Sequence, residues 1–328
     1  MIRDHSAAVE NGQAHPSAAA AEGKEKGGIM EIATAPGATD LITDVPGLAV
    51  GHAGDKRLRS GTTVFLPADG ARMAVDVRGG APGTRETDAL DPVNLVDVVH
   101  ALVLSGGSVF GLAAADAVTE ELSARGIGLA IAPRPVPVVP AAILFDLANG
   151  GDKAWQGDNP YRQLGRQALA RVSHSDRCGR VGAGTGARAG ERDGGYGSAS
   201  LAITEPVRLL VGAAVAVNSF GSRHDGREDR LSLPKAPLLA TNTTIAVVAT
   251  DVALKKAALK RVAIMAHDGL ARRIRPIHTP FDGDTVFALS TGRRMPPADL
   301  PPALLLTILG SLAADALARA VDKALAAA

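Results

Sequence analysis

The stretch TNTTIAVVATD, residues 241–251, sets Asn242 and two threonines at the mouth of an apolar run. Thr243, Ile245, Val247 and Ala249 alternate with Thr244, Ala246, Val248 and Thr250, and β-branched residues at period two predict a strand. A strand that opens on two hydroxyls directly after an asparagine admits two explanations. Threonine suits strands and asparagine suits turns, so the junction is on one account a loop entering a sheet. On the other, a backbone cut between Asn242 and Thr243 gives Thr243 a hydroxyl nucleophile with a free amine beside it.

Working outward, VRLLVGAAVAVNSF (207–220) is apolar on both alternations, as a strand covered on both faces requires. LAVGHAG, TTVFLP and RMAVDVRGG (48–80) read as a meander of short strands, and DTVFALST (284–291) as a later strand. Helical spacing marks SVFGLAAADAVTEELSARG (108–126), with Ser108 as N-cap, Phe110, Ala114, Val118 and Leu122 on one face, and Gly126 as stop. YRQLGRQALARV (161–172), a segment from about Asp251 with Leu254, Ala258 and Val262 in one stripe, and a C-terminal segment opened by Pro301 and Pro302 are the other helices. GLAIAP and PVPVVPAAILFDL (128–147) look extended, with prolines confining parts of them to edges. Strands and helices in alternating blocks point to an α/β (α+β) fold of sheets covered by helices. The charged, proline-bearing segment 221–240 is the best surface connection.

The chain has 328 residues, 46% of them hydrophobic, enough for a large core. A net charge of +1 and only 3% aromatics provide neither a basic field for phosphates nor stacking platforms for bases, so nucleic acid is excluded as a partner. Cys178 is the sole cysteine, which rules out an internal disulfide and fits a reducing, cytoplasmic setting. Residues 1–40 read as a disordered tail without the apolar core of a secretory signal, and 41–328 as a single catalytic domain. The apolar stretch 303–328 carries Asp315, Arg319 and Asp322 at helical spacing, which argues for a packed helix and no membrane span.

Several motifs bear on chemistry. GAGTGARA (182–189) lacks the preceding strand and the spaced acidic residue of a dinucleotide site, and no cofactor is expected. His174, Asp176 and Cys178 alternate in a polar loop, and DGD at 282–284 lacks the closing Glu of a calcium loop, so no metal is expected either. Gly107 and Ser108 in SGGSVFG open a helix whose amides could hold a substrate carboxylate or an oxyanion; simple capping is the competing account. Asn218 ends a buried strand, where its amide either caps the strand or donates to an oxyanion. Asp282 and Asp284 flank a turn, on the same side of the strand that follows, either as an ordinary polar turn or as a working pair.

Taken together, DVRGGAPGTRETD, LSGGSVFGLAAADAV, GAGTGARAG, VAVNSFG, NTTI and HTPFDGDTVFALSTG, in this order over residues 40–326, resemble the P1 family of self-processing peptidases. That family contains the D-aminopeptidase/esterase, the β-peptidyl aminopeptidases and the nylon-oligomer endohydrolases. The resemblance implies an αββα four-layer sandwich of the N-terminal-nucleophile hydrolase type, cut by itself into 1–242 and 243–328. It implies Thr243 as nucleophile, Asn218 as oxyanion donor, and Asp282 and Asp284 as the Asp-x-Asp pair that nylon-oligomer hydrolases place beside the nucleophile. A homo-oligomer, a tetramer or larger, acting on short peptides or peptide-like amides is also implied. The chain departs from the nylon hydrolases at Glu191, where they carry a lysine, and at Phe145 before Asp146, where they carry tyrosine. Both departures weigh against nylon-type activity. The rival readings are a nylon-type 6-aminohexanoate-oligomer endohydrolase, an acetyltransferase with a threonine nucleophile, and an uncleaved, non-catalytic binding protein.

Overall fold

The structure, a computed structural model, describes residues 31–205, 207–226, 231, 233 and 242–328. Most of the expected tail and much of the expected surface connection lie outside the described residues. In chain order the strands are β1 (Ala35–Pro36), β2 (Leu48–Asp55), β3 (Ser60–Pro67), β4 (Arg72–Val77), β5 (Thr84–Arg85), β6 (Leu102–Ser105) and β7 (Ala141–Ile143). They continue with β8 (Gly195–Ile203), β9 (Leu209–Asn218), β10 (Thr243–Val252) and β11 (Thr285–Arg294). The helices are α1 (Ala113–Ala124), α2 (Pro160–Ala170), α3 (Lys256–Ala271) and α4 (Pro302–Ala326).

Six strands form one sheet in the order β1-β8-β9-β10-β11-β4, and five form another in the order β2-β3-β6-β7-β5. Along β10 every residue is buried. Ile245, Val247 and Ala249 point to the interior between the sheets, where they join Ala214 and Ala216 of β9, Phe287 and Leu289 of β11, and Phe65, Leu102 and Leu104 of the second sheet. Val248, on the opposite alternation, lies with Leu259 and Val262 of α3 and Leu309 of α4. A strand clamped between a sheet and a helix layer has no polar face, which is why its sequence is apolar on both alternations. The outer face of the second sheet packs Val64 and Val103 against Ala114, Val118, Tyr161 and Leu164 of α1 and α2. Helices, sheet, sheet, helices is the αββα sandwich expected.

α4 is long and apolar enough, by length and composition, to cross a membrane, but most of that helix is buried inside the fold. Its close seat on β8 depends on Gly197, where a Cβ would fall 1.9 Å from the carbonyl oxygen of Ala320.

The structure corrects four local expectations. The strand at β10 runs to Val252, and α3 starts only at Lys256, because the Asp251 carboxylate is buried and bound by Arg294 Nε at 3.0 Å. GLAIAP forms no strand beyond a single bridge between Leu129 and Val136. Ser108 does not cap a helix: it sits at φ 51° in a short 3-10 turn, Ser108–Leu112, that precedes α1. The ordered fold begins before residue 40, since Ala35–Pro36 pairs with β8 and Asp40 binds Arg319 Nη2 at 2.6 Å. β8, GYGSASLAI, went unread because serines and glycines interrupt its apolar alternation.

Gly197→Ala forces α4 away from the sheet, so its urea midpoint should correspond to a loss of about 3 kcal/mol. A change under about 0.5 kcal/mol would mean that the two layers yield freely there.

Candidate active site

β10 and β11 are parallel, so both strands start at the same edge of the sheet. β9 and β4 are antiparallel to their neighbours and therefore end there. This arrangement brings the end of β9, the start of β10, the turn before β11 and the loop after β4 to one place.

Asn218 and Thr243 are directly paired across the β9–β10 ladder, on the alternation that faces the second sheet. Both are almost fully buried. Asn218 Oδ1 accepts the Arg188 backbone N–H at 2.9 Å, and Nδ2 donates to the Phe145 carbonyl at 3.0 Å. These two partners fix which end of the amide is which.

The peptide bond between Asn242 and Thr243 leads into the first residue of β10. Its carbonyl oxygen accepts the backbone N–H of Gly283 at 3.0 Å, and the Thr243 hydroxyl also points at it. Asn242 bridges in parallel to Asp282, one residue before β10 and three before β11, in the register of the β10–β11 pairing. Gly283 admits no side chain: a Cβ would lie 2.6 Å from the Ala81 carbonyl and 2.8 Å from Thr243 Oγ1. Ala81 N–H donates to the Asp282 carbonyl at 2.8 Å, and Arg78 N–H to that of Asp284 at 2.9 Å, so the loop after β4 is laced to the turn. Gly283 was not identified from the sequence, where the signal was its position between two aspartates.

Both aspartates are fully buried. Asp282 accepts from Phe220 N at 3.0 Å, Thr279 N at 3.0 Å and Thr279 Oγ1 at 2.6 Å. Burial, and then the neighbouring Asp284, push its carboxyl above the usual range despite those donors. Asp284 accepts from Thr244 N at 2.7 Å and from His278 N and Nδ1 at 2.9 and 2.8 Å. Alternation carries Asp284 to the face that α3 covers, so its carboxylate reaches β10 through the Thr244 backbone N–H.

The remaining sequence-predicted residues fall elsewhere or play another part. Phe145 contributes its carbonyl to Asn218, and its ring is half-buried. Glu191 is exposed at the tip of a hairpin whose strands are Arg188–Ala189 and Arg192–Asp193. That hairpin adjoins Asn218 by its base, through Arg188 N–H. The amides at Gly107 and Ser108 are not an open anion cradle: they donate to Asp146 Oδ1 at 2.8 Å and to the Leu144 carbonyl at 2.9 Å. Burial pushes the Asp146 carboxyl up, and Ser60 Oγ donates to it at 2.6 Å. His174, Asp176 and Cys178 diverge, to the Leu48 carbonyl, to His52 with Tyr196, and to the Ser198 carbonyl. Among the described residues no cluster suits a metal ion.

Residues 40–328 match peptidase family S58. An uncharacterised aminopeptidase of Mycobacterium tuberculosis is 46% identical over 321 residues, covering 85% of this chain and 92% of its own. The 6-aminohexanoate-oligomer endohydrolase of Paenarthrobacter ureafaciens is 32% identical over 282 residues, covering 76% of this chain and 75% of its own. Among solved structures, the L-aminopeptidase D-Ala-esterase/amidase of Ochrobactrum anthropi, a variant of the Ntn hydrolase fold, is similar with a TM-score of 0.69 at 23% identity. The alignment covers 91% of this chain and 89% of that one. A β-aminopeptidase of a Burkholderia species gives the same TM-score and identity over 89% of this chain and 88% of its own.

Behind the turn, His267 of α3 is 3% exposed and burial lowers its pKa to about 4. It is therefore neutral in the fold, whereas the unfolded chain protonates it near pH 6.5. Its contribution is fully present above about pH 6.5 and is lost as pH falls through about 4, a loss of about 3 kcal/mol. Urea titrations of the wild type and His267→Gln across that window should show a shallower acid loss in the variant. Parallel curves would remove His267 from the explanation.

Proposed function

The chain belongs to peptidase family S58 and is a peptide-bond hydrolase; from the geometry around Thr243 we propose that it activates itself by cutting between Asn242 and Thr243. The observation that carries the proposal is the Asn242 carbonyl, held by Gly283 N–H with the Thr243 hydroxyl against it. Thr243 Oγ1 attacks that carbonyl carbon, and charge grows on the oxygen that Gly283 already binds. A backbone donor fixed in a dry site is worth ~3 kcal/mol to such an oxyanion. Collapse moves the acyl group from nitrogen to Oγ1, the hydroxyl proton passing to the departing nitrogen. Water then cleaves the ester, leaving Asn242 with a carboxylate and Thr243 with a free amine.

With a substrate the same hydroxyl attacks the amide carbonyl. The Thr243 amine takes the hydroxyl proton and returns it to the leaving amine, and water releases the acyl group from Thr243. Asn218, paired with Thr243 across the ladder, is the proposed side-chain donor to the oxyanion, and Asp282 and Asp284 orient the new ammonium group. Substrates are short peptides or peptide-like amides with a free amino end. Support comes from relatives with 46% identity that are named aminopeptidases.

A second reading, hydrolysis of 6-aminohexanoate oligomers, is favoured by the Asp282-Gly283-Asp284 motif and by the endohydrolase with 32% identity. Turnover of aminohexanoate oligomers with none of aminoacyl anilides would select it. We further propose a cytoplasmic location, supported by the single Cys178, and a homo-oligomer, supported by the family resemblance alone.

Purified wild type should resolve on a denaturing gel into two pieces, the smaller opening with Thr-Thr-Ile-Ala. Thr243→Ala should run as one 33.3 kDa chain with activity down at least ~10³-fold. Gly283→Ala keeps its N–H, but the Cβ clashes with the Ala81 carbonyl and Thr243 Oγ1 and displaces that donor, so the smaller piece should appear roughly 10²-fold more slowly. An active, full-length wild-type chain would refute self-cleavage.

A further inference from the structure

Asp284 is held from two sides by unequal means. On one oxygen it has the Thr244 N–H, at 2.7 Å, from the strand that begins with the nucleophile. On the other it has two donors from one residue, the backbone N–H and the ring Nδ1 of His278. His278 reaches this position at φ 58°, a left-handed conformation that non-glycine residues rarely take. Because Nδ1 faces a carboxylate, Nδ1 carries the proton, and Nε2 is buried with no hydrogen-bond partner among the described residues.

The neighbours of His278 leave its ring little alternative. It stands edge-on to His267 of α3 at 4.7 Å between centroids, and His267, neutral by burial, commits its Nε2 to the Asp76 carbonyl at 3.1 Å. Among the described residues, the charged groups beside these two rings include Asp284 with its neighbour Asp282, and Asp76 with Arg78 and Lys260. Asp76 is taken by Arg78 and by Lys260, the latter at 2.9 Å, so Asp284 is the anion that His278 serves.

We propose that His278 is a positioning residue for the hydrolysis: its two converging N–H groups lock the Asp284 carboxylate so that the other oxygen stays on the Thr244 amide and the start of β10 stays in register for attack. The proposal rests on the reading of Thr243 as the nucleophile. Without the ring donor the carboxylate turns about its last torsion, and the strand start loses its anchor. Displacement of a reacting group by about 1 Å costs on the order of 10²-fold in rate. The Thr243 and Asn218 side chains lie on the opposite face of the ladder from Asp284, so the loss should fall on kcat and not on KM.

Two variants separate this role from a merely structural one. His278→Asn places an amide N–H close to where Nδ1 stood, and asparagine tolerates positive φ. His278→Phe keeps a ring and removes the donor. With an aminoacyl anilide as substrate, His278→Asn should keep kcat within about 5-fold of wild type, whereas His278→Phe should lose about 10- to 100-fold in kcat with KM within about 3-fold. If His278→Phe is recovered uncut, the rate of self-cleavage replaces kcat and the same ranking is expected. The proposal is overturned if His278→Phe matches wild type, if its loss lies in KM, or if His278→Asn falls more than about 10-fold, a result that decides even when His278→Phe does not fold. N-terminal sequencing of the wild type scores the Thr243 reading separately, since the ranking of variants is read whether or not that terminus appears.

Discussion

The carbonyl of Asn242 lies between the N–H of Gly283 and the hydroxyl of Thr243, and the sheet is arranged around that contact. It requires two strands to start side by side, which only a parallel pair does. β10 and β11 meet this condition because α3 carries the chain back across the sheet between them. An isolated bridge in the same register joins Asn242 to Asp282 just before the two strands start, so the bond preceding Thr243 is held by backbone partners beside a rigid element. Rigidity matters here because attack on an adjacent carbonyl demands a fixed distance and angle.

The two carboxylates next to this bond are tolerated inside the fold because each is surrounded by donors. Asp282 is tied to Thr279 and Phe220, and Asp284 to Thr244 and His278. Burial and mutual repulsion raise the affinity of Asp282 for its proton, and the donors oppose this. The balance leaves the Asp282 carboxyl above the usual range, with one residue between it and Asp284, which the Thr244 and His278 N–H groups hold. Two carboxylates this close disfavour simultaneous ionisation.

Two buried polar networks elsewhere are closed on themselves. His52 bridges Thr63 and Asp176, and Asp176 also takes the Tyr196 hydroxyl, so every member of that network has a partner inside the core. Asp146 is similarly enclosed by Ser60 and the Gly107 amide. A satisfied network stabilises and specifies a core, whereas the Thr243 region sets a hydroxyl against the carbonyl of the preceding peptide bond.

Periodicity alone was enough to place β9, β10, β11 and the C-terminal helix, because a strand or helix clamped on both faces has an apolar signature that no other environment produces. Thr243, Asn218 and the two aspartates were legible as residue types that chemistry uses, and the order of the motifs indicated the family. Gly283 and His278 were not legible, since a backbone N–H leaves no trace in side-chain identity and a histidine in a loop has no preferred partner. β8 and the start of α3 were misread where serine, glycine and a buried Asp251 broke the pattern. The amino-acid sequence by itself determined which segments could be buried and which groups could react. The tertiary structure alone decided that residues 218, 243 and 283 meet, because that meeting depends on strand order and register, which arise from long-range pairing and not from any local run of residues.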